Sequence, residues 1–299
     1  HMGYEPPPPF DTLFDPDYTG SLDGRYESLE KYIKDINADP KEISPRDLVH
    51  VTALYDGEIR YTDTQLRRIY DALGDADALD NTLFIVTGDH GEEHNDHGSM
   101  EGHGWTLYEE VVRVPLIMRL PRCAYGGRTV GEIIESIDIA PTILDIARSR
   151  KPDSFQGRSL LPLLSRRHAG SSEEPAFSIS RRFGALKASV RDGRYKLIYT
   201  GDTGPNKWGI SAVPGIELYD LTSDPGEQSN IAADSLPAGR RLMKALYEWF
   251  ELAQTAGDEG DLGERVHFTP EELERLRSIG YIGFGDDVES SESPASASD

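Results

Sequence analysis

The chain has 299 residues, of which 37% are hydrophobic, and it carries a formal net charge of −22 from 53 acidic and 31 basic residues. No apolar run approaches the ~20 residues that a membrane-spanning helix needs, and so strong a negative charge repels nucleic acid and anionic membranes. We therefore expect a soluble protein that neither inserts into membranes nor binds nucleic acid. The single cysteine, Cys123, excludes an internal disulfide framework.

The acidic surplus has two interpretations. Adaptation to high salt would explain it, because counterions screen the self-repulsion of a charged surface. A GC-rich genome would also produce an acidic chain in which arginine outnumbers lysine, as it does in this sequence. No signal peptide is visible, which favours a cytoplasmic location over a secreted one.

The first 150 residues predict a loop, a long helix and a strand. Residues 1–25 are rich in proline and include Pro6–Pro9, which excludes a helix or a central strand. After Pro45, apolar residues recur at steps of three and four and predict one face of a helix that ends near Gly74. The members of that face are Leu48, Val51, Tyr55, Ile59, Thr62, Leu66, Ile69 and Leu73.

Thr82–Thr87 is a short, apolar, β-branched run and predicts a strand buried on both faces of a parallel sheet. Asp89 and His90 follow directly, where ligands bind in such sheets. A carboxylate oxygen and an imidazole nitrogen suit Ca²⁺, Mg²⁺, Mn²⁺ or Zn²⁺. The alternative is a polar turn with ordinary surface histidines, because an isolated Asp-His-Gly is common.

A loop rich in histidine and glycine follows and runs to Gly104. We expect His94 on the surface and His97 just behind the metal ligands. The acidic pairs of this region are interpreted as helix-start or solvated charges. These pairs are Glu92-Glu93 and Glu109-Glu110.

The remaining elements predict a second unit. Trp105–Val112 predicts a short helix, Val114–Leu120 a strand, and Asp138 the N-cap of another helix. From residue 151 onward, strands and one closing helix predict a small antiparallel sheet with a packed helix, followed by a disordered acidic tail at 286–299. The predicted elements are Ala185–Arg191, Tyr195–Thr200, Ile216–Leu221 and the helix Arg240–Ala253, with a hairpin at Asp192-Gly193.

The order of these motifs resembles the C-terminal half of a sulfatase of the alkaline phosphatase superfamily. Thr87–Glu92 is similar to the family's T-[SG]-D-[HN]-G-E motif, and Thr106–Ile117 resembles its T-L-Y-E-E-x-x-R-V-P-L-I segment. The resemblance covers nearly all of residues 1–285. Further segments that resemble the family are Gly3–Asp11, Leu13–Tyr18, Tyr55–Tyr61, Asp138–Leu144, Gln156–Leu160, Arg194–Ile198 and Glu217–Gln228.

The resemblance implies an α/β protein. Residues 1–150 would form an alkaline-phosphatase-like α/β sandwich core, incomplete at its N-terminus, and residues 151–285 a small α+β C-terminal subdomain. It implies Asp89 and His90 as ligands of a divalent cation, most simply calcium, with magnesium, manganese or zinc as alternatives. His1 and His103 would contact the sulfate or the leaving group of a small-molecule or carbohydrate sulfate ester.

The sequence departs from the family pattern at the nucleophile. Sulfatases carry a Cys/Ser-x-Pro-x-Arg motif whose first residue becomes formylglycine, and these 299 residues lack it. We therefore expect the chain alone to be inactive and formylglycine to belong to a missing N-terminal part. His1 could be native or part of a tag. The alternatives are a two-metal phosphodiesterase or phosphonate monoester hydrolase that uses Asp89, His90 and His103, or an inactive fragment that acts as a binding module.

Overall fold

The computed structural model describes residues 3–31, 44–97, 103–165, 174–180, 186–201, 215–256 and 270–278. Within them lie six strands and six complete α-helices that we label in chain order, and residues 26–31 are also helical. The predicted tail, 286–299, falls outside the described residues. None of the described helices is long and apolar enough to cross a membrane.

The long helix α1 spans Pro45–Asp75, as the periodicity predicts. Ser44 caps its N-terminus by accepting a hydrogen bond from the Asp47 amide. The first half of the predicted apolar face contains its one fully buried member, Val51, whereas Ile59 and Ile69 in the second half are each 53% exposed. That first half packs with the N-terminal loop in a small core formed by Tyr4, Leu22, Leu29, Val51 and Leu54.

The strand before Asp89, β1, spans Phe84–Thr87 and pairs with β2, Leu116–Arg119. The prediction of a parallel sheet buried on both faces is wrong for this pair, because the two strands run antiparallel and β1 is only half-buried. An apolar run indicates that a strand is buried but not in which direction it runs. The direction depends on the segment that connects it to the next strand. That connection contains the histidine-rich loop and a one-turn helix, α2, Glu109–Val112, shorter than predicted.

Asp138 stands at the N-cap of α3, Ile139–Ile146, but its carboxylate does not cap that helix. It accepts hydrogen bonds from the backbone amides of Glu135 and Arg158 instead. Asp138 therefore ties the start of α3 to the segment that leads into α4, Leu161–Ser165.

The C-terminal subdomain is a four-stranded antiparallel sheet in the order β3-β4-β5-β6, as its predicted hairpin suggests. Helix α5, Leu236–Ala256, lies against it, and α6, Pro270–Ser278, adds Leu276 to the same core. The sequence interpretation missed β3 and α6. The strands are Ala176–Ser180, Lys187–Arg191, Tyr195–Thr200 and Gly215–Asp220.

A third, smaller core joins this subdomain to the region around α2. Leu107 packs with Ile198 of β5 and Tyr219 of β6. The segment that begins at His103 is therefore held by the C-terminal sheet as well as by the loop that follows β1.

Candidate metal and active site

Strand β1 ends at Thr87 and delivers Asp89 to the surface, where its side chain is 92% exposed. The Asp89 Oδ1 atom accepts a hydrogen bond from the His90 amide at 3.0 Å, and Oδ2 lies 3.7 Å from His90 Nε2. Its own backbone N–H and the neighbouring His90 charge lower the pKa of Asp89 below its ordinary value. The carboxylate is thus ionised and available to a cation at neutral pH.

The tautomer of His90 follows from its hydrogen bond. Its Nδ1 lies 2.9 Å from the carbonyl oxygen of Gly91, which can only accept, so Nδ1 carries the proton and Nε2 is the basic nitrogen. Two ligands that each lie 2.0–2.6 Å from one ion are separated by roughly 3–4 Å. The 3.7 Å between Asp89 Oδ2 and His90 Nε2 fits that separation.

Gly91 allows this turn to approach α2. Its amide donates to the Val111 carbonyl at 2.8 Å, and a β-carbon at position 91 would collide with the carbonyl oxygen of Glu110. Glycine is therefore required here by a close backbone contact.

His103 stacks on His90, with ring centroids 3.8 Å apart. Its Nδ1 lies 2.8 Å from Glu92 Oε1, and the Glu92 side chain is only 4% exposed. The interpretation of Glu92 as a solvated charge is therefore wrong. Its burial is repaid by several hydrogen-bond donors, which a sequence pattern does not reveal.

One of those donors comes from the far N-terminal loop. The Tyr4 hydroxyl donates to Glu92 Oε2 at 3.2 Å and lies 3.3 Å from His94 Nε2. His94 also meets Tyr4 and Tyr55 edge-on, with centroid distances of 5.5 and 5.0 Å. The prediction that His94 lies on the surface is wrong, and burial lowers its pKa. Nothing in the sequence around Tyr4 indicates this contact.

A second cluster lies on the other side of the loop, around His97. His97 Nδ1 is 2.7 Å from Glu110 Oε1, and Nε2 is 3.1 Å from the carbonyl oxygen of Glu227. Burial alone would lower the pKa of His97, but its bonds to Glu110 and Glu227 and the charge of Glu93 outweigh burial and raise it. Because both ring nitrogens face acceptors, we interpret His97 as a buried imidazolium.

This cluster corrects the interpretations of four further residues. Glu93 is buried, and Glu109 and Glu110 are largely buried in ion pairs rather than solvated. His97 contacts Glu110, Glu227 and the Tyr108 ring, rather than Asp89 or His90. The carboxylates of this region are therefore internal partners that join the loop to the C-terminal sheet.

Asp89 lies beside His90, the His103 ring stacks on His90, Glu92 contacts His103, and Tyr4 donates to Glu92. Ligand atoms of His90, Glu92 and His103 lie within 4.8 Å of one another. His1, the other predicted substrate residue, lies outside the described residues. The arrangement combines a carboxylate and an imidazole that could hold a cation with a second imidazole that could transfer a proton.

Two family models match the chain. The model described as Sulfatase covers residues 4–149, and that described as N-sulphoglucosamine sulphohydrolase, C-terminal, covers residues 101–254. Arylsulfatase K of Canis lupus familiaris is 33% identical over 199 residues, which are 64% of this chain and 35% of that protein. The chain thus spans about a third of that relative's length.

Solved structures show the same architecture. The protein BT4656, in complex with its substrate D-glucosamine-2-N, 6-O-disulfate, has a TM-score of 0.59 and 25% identity over 80% of this chain and 48% of that one. A phosphonate monoester hydrolase of Agrobacterium radiobacter has a TM-score of 0.57 and 28% identity over 77% of this chain and 46% of that one.

Proposed function

The chain belongs to the sulfatase family and has the alkaline-phosphatase-like fold, and from this premise we propose that it is the C-terminal portion of a sulfuric ester hydrolase. The observation that supports this most directly is that His90, at the end of β1, lies beside the Asp89 carboxylate and stacks on the His103 ring. The nucleophile, a formylglycine by resemblance, would come from a segment outside these 299 residues.

The proposed cation fits the residues present. Asp89 would supply Oδ2 and His90 would supply Nε2, the basic nitrogen of the tautomer that Gly91 fixes. A hard oxygen ligand on an exposed carboxylate suits Ca²⁺ or Mg²⁺, and the imidazole also admits Mn²⁺ or Zn²⁺. Once bound, such a cation would neutralise charge on the sulfate oxygens.

His103 is proposed to act on the leaving group. With its Nδ1 proton directed to Glu92, an imidazolium at this position carries its transferable proton on Nε2. Protonation of the departing alcohol oxygen by that atom would lower the barrier to S–O cleavage. The neutral imidazole that remains keeps its proton on Nδ1, hydrogen-bonded to Glu92, so the ring need not turn.

We propose a sulfate ester of a sugar or small alcohol as the substrate. The support is the sulfated glucosamine bound to the similar protein BT4656. The acidic chain repels such an anion at long range, so positive charge at the site has to reverse the field locally.

A second candidate is a phosphonate monoester hydrolase, since a protein of that name shares the fold and 28% identity. In this case His90, Glu92 and His103, whose ligand atoms cluster, would take part in a two-metal site with Zn²⁺ or Mn²⁺. The third candidate is an inactive binding module.

Turnover separates these functions. We expect the polypeptide read from the complete reading frame to hydrolyse an aryl sulfate faster than an aryl phosphonate monoester. His103→Ala should lower kcat for the sulfate by about 10²–10⁴-fold, the usual contribution of a general acid. Faster phosphonate turnover would favour the second candidate, and absence of both activities would favour the binding module.

Cation binding tests the metal ligands in the 299-residue chain itself. We expect Ca²⁺ to bind with a dissociation constant on the order of 10⁻³ M, because only two ligands are in place. Asp89→Asn should weaken binding at least about tenfold in a calorimetric titration. Asp153→Asn is the matched control, because Asp153 is equally exposed and pairs with Arg150. Equal affinity of the two variants would show that Asp89 is not a ligand.

A further inference from the structure

We propose that Glu92 is a positioning residue that holds His103 in one orientation and one tautomer, and that Tyr4 fixes the Glu92 carboxylate in turn. The inference rests on the proposed function, in which His103 meets the leaving group. Its physical basis is a carboxylate that is buried among hydrogen-bond donors.

The Glu92–His103 contact determines where the imidazole proton lies. The two side chains are 4% and 10% exposed, and their Oε1 and Nδ1 atoms are 2.8 Å apart. An ionised carboxylate can only accept, so Nδ1 has to be the donor. Neutral His103 is then the Nδ1–H tautomer, with Nε2 as the basic nitrogen.

Stacking restricts the ring in a second direction. The His90 and His103 rings lie 22° from parallel, and Glu92 Oε1 is 3.9 Å from His90 Nδ1. Rotation of the His103 ring within its own plane would separate Nδ1 from Glu92. Tilting the ring out of that plane would break its stacking on His90. The two contacts together leave His103 a single orientation.

Tyr4 holds the other oxygen of Glu92. Its hydroxyl donates its one proton to Oε2, so the His94 Nε2 atom at 3.3 Å has to donate to the Tyr4 oxygen. The Tyr4 backbone is fixed by a 2.8 Å bond from its amide to the Gly24 carbonyl. Gly24 has a φ of +75°, and a β-carbon there would collide with Tyr4.

All donors of this chain of hydrogen bonds therefore point toward Glu92. His94 donates to Tyr4, Tyr4 donates to Glu92, and His103 donates to the second carboxylate oxygen. An N-terminal loop, 88 residues away in sequence, thereby sets the position of a side chain in the proposed active site.

The test is the tautomer of His103 in the 299-residue chain, read from long-range ¹⁵N–¹H correlations of ¹⁵N-histidine at a pH where the ring is neutral. We expect the Nδ1–H form in the unmodified chain. An Nε2–H form there would overturn the proposal without any variant. Because this measurement requires no turnover, it is independent of whether the complete polypeptide is a sulfatase.

Two substitutions sharpen the test. Glu92→Gln retains a carbonyl acceptor and should preserve the Nδ1–H tautomer, whereas Glu92→Leu should give a mixture of both. In the complete polypeptide, Glu92→Leu should lower kcat by about 10²-fold with little change in KM, because a displaced acid loses alignment rather than substrate affinity. An unchanged tautomer in Glu92→Leu, or an unchanged kcat, would contradict positioning by Glu92.

Discussion

Replacing Lys196 by methionine should lower the free energy of unfolding by about 3–5 kcal/mol, the usual cost of removing one partner of a buried ion pair. The Lys196 side chain is 1% exposed, and its Nζ lies 3.1 Å from Glu109 Oε1 and 3.0 Å from Glu227 Oε1. Without the ammonium group, two neighbouring buried carboxylates lose their shared cation. Glu227 suffers most, because burial already raises its pKa and Lys196 offsets that effect.

Lys244→Met is the matched control, since Lys244 is 75% exposed and faces Glu248 at 3.7 Å across one turn of α5. Its loss should change stability by no more than about 0.5 kcal/mol. Urea denaturation followed by tryptophan fluorescence measures both variants. A similar small loss for Lys196→Met would show that water reaches the Glu109–Glu227 pair. If that variant does not fold, Lys196→Met combined with Glu227→Gln should recover part of the loss.

Truncating Leu246 to alanine should cost about 2–5 kcal/mol, because the side chain is fully buried between α5 and the four-stranded sheet. Close packing around it leaves a cavity that the sheet can fill only in part. The same helix provides the control: Leu252 is 67% exposed, so Leu252→Ala should cost no more than about 0.5 kcal/mol. Equal losses at the two positions, measured by the same urea method, would contradict the packing of α5 against the sheet.

The sequence predicted the helices and strands in which apolar residues recur along one face. The three- and four-residue steps from Leu48 onward gave α1, and the apolar runs before and after Asp192 gave the hairpin of β4 and β5. The resemblance to sulfatases, which the family models confirm, rested on the order of motifs rather than on any single one. Local pattern is informative there because the periodicity of an element directly reflects which side is buried.

The direction of β1 and the environment of the acidic residues could not be predicted in this way. The sequence predicts that Glu92, Glu93 and Glu109 are solvated, because the hydrogen-bond and ion-pair partners that make their burial possible come from other segments. Tyr4 reaches Glu92 across 88 residues, and Lys196 reaches Glu109 across 87. Asp89 and His90 could be proposed because the motif places them together, whereas the burial of Glu92 against His103 arises only on folding.

Glu92 and Glu93 are adjacent in sequence yet serve different parts of the molecule. Glu92 faces the stacked imidazoles, and Glu93 faces Thr106 and the His97 cluster. Adding or deleting one residue after Gly91 would move each carboxylate to the wrong side of the turn. His103 would then lose its acceptor. The length of this turn should therefore tolerate less change than its composition.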